Sequence, residues 1–215
     1  MTDLVKYLFS LSSGESFYVG DYNNGNYLTI ASDGTMTLVG DATTWDDLRV
    51  PITSTKFGGT QDPDFAKFLD NGSGSQGVFA HLFDKALEEE VYISVQMPHS
   101  WREGSDVRAH FHWAPTDTDT GNVIWGIEYS WANITGTFGN TTITTVTDAA
   151  DGTANKHQMT SAIVIDGDGF TGSSMMVCRL FRAAANELDT YDADAALLEF
   201  DLHYEVNKMG DSSLG

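Results

Sequence analysis

In the stretch VRAHFHWAP, residues 107–115, His110 and His112 stand one residue apart. Side chains two apart on a β-strand point to the same face, so two imidazoles so placed could bind one metal ion. A third histidine, His203, lies in LLEFDLHYEV near the end of the chain. His110, His112 and His203 would form a three-imidazole site only if their two strands were neighbours, which spacing alone does not decide.

The spacing from Gly104 to His112 matches the G-x5-H-x-H opening of the cupin metal motif. The pattern then breaks, because Asp117, in a turn, stands where that motif expects Glu and a later Gly. Parity argues against it as well. Val107, Ala109, Phe111 and Trp113 share one face of the strand, and Arg108, His110 and His112 share the other. The apolar row must be the core face, since burying each such side chain is worth about 1.5–3 kcal/mol. The histidines therefore face outward. In the next run Val123, Trp125, Ile127, Tyr129 and Trp131 alternate with Ile124, Gly126, Glu128 and Ser130. A hairpin turn at PTDTDTGN would set Phe111 opposite Ile127 and His110 opposite Glu128. That His110–Glu128 cross-strand pair is the non-catalytic reading of the motif. In the last run Leu198, Phe200, Leu202, Tyr204 and Val206 read as apolar, and Glu199, Asp201, His203 and Glu205 as polar.

Around these residues the chain reads as strands and turns. NYLTIASDGTMTLVG is a hairpin signal, two β-prone runs about Ser32-Asp33-Gly34. Runs resembling strands follow in VYISVQMP, VRAHFHWAP, VIWGIEYSWANI, TTITTVTDA, SAIVIDG, SMMVCRLF and AALLEFDLHYEV. GGTQDPDF and LDNGSGSQG read as loops. FAHLFDKALEEE is the one candidate helix, with Phe79, Leu82, Phe83, Ala86 and Leu87 at three-four spacing; an irregular lead into the next strand is the alternative. ELDTYDADA reads as a solvated acidic loop. The fold expected is all-β: an antiparallel jelly-roll-like β-sandwich over residues 41–215, preceded by an N-terminal β-hairpin arm over residues 1–40.

Bulk properties narrow the function classes. The 215 residues carry 31 acidic and 11 basic side chains, a formal net charge of -20. Such a field repels phosphate backbones and anionic lipid, so nucleic acid and membrane are not expected partners. The single cysteine, Cys178, sits in an apolar run and reads as a buried structural thiol. MTDLVKYLFS has no basic region followed by a long apolar stretch, so no signal peptide is expected. No nucleophile elbow or catalytic triad is legible, and no catalytic residue, cofactor or metal is assigned.

The segments TTWDDLRVPITSTK, VYISVQMPHSWREGSDVRAHFHWAP, TGNVIWGIEYSWANI, MMVCRLFRAA and LLEFDLHYEVNKMG resemble a group of tailed-bacteriophage virion proteins, over residues 42–210. The resemblance implies a β-sandwich on the particle, commonly a trimer, made in the bacterial host cytoplasm and serving as a capsid decoration (cement) protein. Its expected partners are the major capsid protein and further copies of itself. A tail or fibre component that contacts host surface glycans is the alternative. There Trp101, on the polar loop HSWREGSD, would be the ring that stacks on sugar, although a half-buried Trp at the base of the loop is the favoured reading. A cupin-like metal-dependent enzyme using His110, His112 and His203 is the third reading.

Overall fold

The computed structural model describes residues 11–209. The first ten residues of the expected arm and the last six of the expected sandwich lie outside the described residues.

Three strands come first: β1 (Ser16–Asp21), β2 (Asn26–Ala31) and β3 (Met36–Val39), an antiparallel meander. The β2–β3 hairpin is the one expected from Ser32-Asp33-Gly34. Asp33 Oδ1 accepts from the Thr35 N–H at 2.9 Å, and Gly34 takes φ +88°, where a Cβ would be strained. The meander is tied to the end of the last strand, where the Leu38 N–H donates to the Asn207 carbonyl at 2.6 Å.

The strands that follow are β4 (Thr44–Pro51), β5 (Asp64–Leu69), β6 (Val78–Phe83), β7 (Glu89–Gln96), β8 (Val107–Pro115), β9 (Asn122–Ala132), β10 (Thr142–Ala149), β11 (Gln158–Met159), β12 (Ile163–Ile165), β13 (Met175–Arg182) and β14 (Ala195–Val206). They make two sheets, ordered β10-β9-β13-β7 and β11-β8-β14-β6-β5; in the larger sheet β12 also pairs with β8, and β4 with β14. Every pairing is antiparallel. The chain is the expected all-β, jelly-roll-like sandwich.

Aromatic rings fill the space between the sheets. Phe111 of β8 stacks on Trp125 of β9 at 5.3 Å between centroids; Phe83 of β6 meets the same indole edge-on at 5.1 Å, and Phe200 of β14 meets Phe111 at 5.1 Å. The inward row Val107, Ala109, Phe111 and Trp113 is fully buried, as parity requires.

Four expectations are corrected. First, β8 and β9 are not hairpin neighbours. They lie in opposite sheets, and the PTDTDTGN segment crosses between them. Phe111 and Trp125 therefore face each other across the core, and Phe111 pairs with Phe200, not Ile127. Facing sheets and hairpin neighbours give the same inward parity, which is why alternation alone could not separate them. Second, His110 does not pair with Glu128. Glu128 instead accepts from Arg179 Nε at 2.9 Å and from Thr141 Oγ1 at 2.7 Å, on the other sheet.

Third, the candidate helix is strand β6 followed by a turn. Phe79 and Leu87, two members of the supposed helical face, are exposed. Asp84 Oδ1 accepts from the N–H groups of Ala86 and Leu87 at 2.6 and 2.9 Å, closing a turn where a helix would have continued. Fourth, ELDTYDADA is not simply solvated. Asp189 forms a fully buried ion pair with Arg182 at 2.8 Å, and the remaining guanidinium hydrogens reach the carbonyls of Phe83, Tyr191 and Ala193. That ion pair is costly to break because its partners have no access to water.

Trp113 Nε1 donates to Asp148 Oδ2 at 2.8 Å, whereas Trp125 Nε1 is buried without a partner. Trp113→Phe should therefore destabilise the protein by about 1–2 kcal/mol more than Trp125→Phe in urea unfolding. His81 on β6 is also buried, and burial pushes its pKa below the ordinary 6.5. The unfolded chain then takes up this proton before the folded one, so the stability tied to neutral His81 is present above pH 6.5 and is lost as pH falls below it. His81→Phe should lose less Tm than the parent between pH 7.5 and 5.

Candidate functional site

The outer face of the large sheet carries an ordered polar grid. Antiparallel register across β8, β14 and β4 sets three rows: Arg108–His203–Asp47, His110–Asp201–Arg49 and His112–Glu199–Pro51. The inner face causes this. Once Phe200, Leu202 and Tyr204 are buried, Glu199, Asp201 and His203 must point out. The β14 register shifts between Leu197 and Glu199, so Leu198 is the bulged residue. Sequence parity placed Leu198 in the apolar row with Phe200. In the fold Leu197 takes the inward place, and half-buried Leu198 lines an open cleft of about 420 Å³ with Asp47, Arg49, His112, His157, Glu199 and Asp201.

His110, His112 and His203 do come together, because β8 and β14 are neighbours. The His110 and His203 rings lie 4.5 Å apart. His110 Nδ1 is 2.9 Å from the Thr160 carbonyl. His112 Nε2 is 3.2 Å from Asp201 Oδ2, and His203 Nε2 is 3.3 Å from that same oxygen and 3.2 Å from Asp47 Oδ1. His112 Nδ1 is 2.8 Å from Nε2 of His157. Sequence reasoning did not single out His157 or Asp47. His157 sits in a polar loop with no periodicity to mark it, and Asp47 joins the group only through the β4–β14 pairing.

The two arginines of the grid have partners of their own. Arg49 forms a fork with Glu199, its Nη2 reaching Oε2 at 2.6 Å, and that hydrogen bond holds the Glu199 carboxyl below the usual carboxylate range. The Arg108 guanidinium lies 4.7 Å over the Trp45 ring. The arrangement has none of the geometry of a cupin site, because the HxH pair faces away from the space between the sheets.

Trp101 lies deeper than the half-buried position expected at the base of its loop, and the sugar-stacking reading falls with it. It is fully buried, its Nε1 donates to Ser105 Oγ at 3.0 Å, and its ring lies 5.5 Å from that of Trp131. It cannot stack on a sugar. Cys178 is buried as expected, and burial pushes its thiol up to about 12, so it is inert as a nucleophile near neutrality.

No protein-family profile matches the chain, and no curated protein does. Among solved structures, the fold is similar to a CBM35 from Cellvibrio japonicus, at 13% identity and TM-score 0.44 over 73% of this chain and 92% of that one. A family 35 carbohydrate binding module from Clostridium thermocellum matches at 9% identity and TM-score 0.44, over 73% and 97%. The enzymatically active domain of tailspike protein 4 from bacteriophage CBA120 matches at 9% identity and TM-score 0.32, over 76% of this chain and 19% of that one.

Of the five tryptophans only Trp45 is exposed, at 45%. Acrylamide should quench one fluorescent component, and Trp45→Phe should remove that component and leave the rest unquenched. Quenching that disappears instead with Trp101→Phe would contradict the burial of Trp101.

Proposed function

We propose that the chain is a non-enzymatic structural component of a tailed-phage particle, a decoration protein that docks on the capsid exterior as a homotrimer. The supporting observation is an overhang of the core face. His81 on β6 pairs with Leu197 on one side and Phe65 on the other, so Phe65 shares the face that carries Leu197 and Trp113. Phe79 is two residues from His81 and shares it too. The four-stranded sheet does not cover this part: Phe65 and Phe79 are 53% and 46% exposed, with rings 5.6 Å apart, and Phe57 beside His81 is 48% exposed. β5 is also the last strand of its sheet on this side, with no strand on its other edge among the described residues.

A contiguous apolar surface on a chain of net charge -20 supports docking of another protein at this place. An uncovered strand edge is likewise a pairing site, and trimer formation or docking on a capsomer would cover both. The acidic exterior suits a position outside the capsid, away from the genome. The sequence resemblance to virion proteins points the same way.

A second reading has its own observation. Tyr18, Tyr22 and Tyr27 of the N-terminal meander cluster with centroids 4.7–5.3 Å apart, and Tyr18 and Tyr22 are exposed. The exposed Tyr18 and Tyr22 rings suit contact with sugar and support a tail-associated, glycan-contacting role.

Quantitative mass spectrometry of purified particles separates these readings. Decoration gives a ratio near one copy per major capsid subunit. A ratio of a few per cent or less favours the tail, and absence from the particle overturns both. The double variant Phe65→Ser, Phe79→Ser should weaken binding to undecorated capsids by about tenfold or more while the isolated protein stays folded by circular dichroism, with a Tm lowered by several degrees because each ring is about half buried.

A further inference from the structure

We propose that Asp47, Asp201 and His203 form a binding site for a borderline divalent cation of the Zn²⁺ class on the outer face of the large sheet. One oxygen of each carboxylate and one imidazole nitrogen lie within 4.8 Å of one another. Ligand atoms bound to such an ion at about 2.0–2.2 Å stand about 2.9–3.5 Å apart in tetrahedral or octahedral geometry. His203 Nε2 is 3.2 Å from Asp47 Oδ1 and 3.3 Å from Asp201 Oδ2, inside that window. A single Nε2 has one proton or one lone pair, so it cannot satisfy both carboxylates with a well-aligned hydrogen bond to each.

A second observation is independent of those distances. Asp201 is 4% exposed, and its Oδ1 is buried with no hydrogen-bond partner. A carboxylate oxygen left so is costly, and among the described residues Asp201 meets only imidazoles at its other oxygen. Neither nearby guanidinium hydrogen-bonds to it, Arg49 being held by Glu199 and Arg108 lying over Trp45, and the Arg49 charge reaches Asp201 only through space. A cation held by Asp201 supplies the missing charge.

The donor set fits the cation class. One imidazole with two carboxylates suits a borderline divalent ion; thiolates, which would select softer metals, are absent from the group. His112 acts as a positioning residue. Its Nε2 reaches Asp201 Oδ2, and its Nδ1 is in turn backed by His157, a chain of outer contacts that orients the carboxylate. Asp47 is half-exposed at the rim, so the remaining coordination positions open toward solvent.

The test uses the full chain carrying no His tag, stripped with chelator and then titrated with Zn²⁺ or Co²⁺. Zn²⁺ at a hundredfold excess over Kd should raise Tm by about 5–10 °C. Co²⁺ should give visible d–d absorption that Zn²⁺ abolishes. Asp47→Ala and His203→Gln, at exposed or half-exposed positions, should fold normally by circular dichroism and lose both signals. His99→Gln, away from the grid, should keep them. His112→Gln should weaken Co²⁺ affinity about tenfold or more and alter its spectrum, which loss of stability alone would not do. No Co²⁺ absorption and no Zn²⁺-dependent Tm shift, or signals unchanged in Asp47→Ala and His203→Gln, would overturn the proposal.

Discussion

The inner rows of β8 and β14 set the rest of the molecule. Val107, Ala109, Phe111 and Trp113 lie beside Leu197, Phe200, Leu202 and Tyr204, and the aromatic rings among them reach across to Trp125 on the opposite sheet. Burying these side chains is worth more than the net stability of a typical domain, before chain entropy is subtracted. A slip of one residue would turn the whole row to solvent, so the register is tightly specified. Everything on the outer face follows: with the rings inward, Arg108, His110, His112, Glu199, Asp201 and His203 must stand together outside. The bulge at Leu198 lets the inward row pass from Leu197 to Phe200 and opens the cleft beside His112 and Glu199.

Two surfaces on the large sheet are thereby left without a partner of their own. The polar grid carries a buried carboxylate whose second oxygen has no hydrogen bond, a feature that folding alone does not favour. The overhang at Phe65 and Phe79 continues the core face beyond the smaller sheet. The overhang comes from a seven-stranded sheet packed on a four-stranded one, whereas the grid lies on the face turned away from the smaller sheet. The wider sheet has area to spare on each face, and the residue types there, carboxylates with imidazoles on one and phenyl rings on the other, fit different kinds of partner.

Much of this was legible in the sequence, because alternation reports burial directly. The strands at VYISVQM, VRAHFHWAP, SMMVCRLF and AALLEFDLHYEV are where their alternation put them, and the outward aspect of His110, His112 and His203 follows from the same parity. Alternation does not report the neighbour. β8 and β9 both turn their aromatics inward whether they share a sheet or face each other, so the His110–Glu128 pair was wrong while both parities were right. β5 was missed because DFAKFL lies between two Gly- and Ser-rich loops and exposes much of its apolar surface, so its pattern lacks a clean inward row. The helix reading of FAHLFDKALEEE, one of the two the sequence allows, rests on Phe79, Leu82 and Phe83 fitting three-four spacing, and the turn made by Asp84 depends on a side chain that accepts backbone hydrogen bonds locally. His157 and Asp47 join the grid through tertiary pairing and carry no local signal.

The central claim is that β8 pairs with β14, so that their outward residues form one group. Interstrand backbone NOEs in the labelled protein test it most directly. Contacts linking Phe111 to Phe200 and Ala109 to Leu202 are expected, with ring-proton contacts between His110 and His203. Backbone contacts linking Phe111 to Ile127 and His110 to Glu128 would place β8 and β9 in one sheet and contradict it.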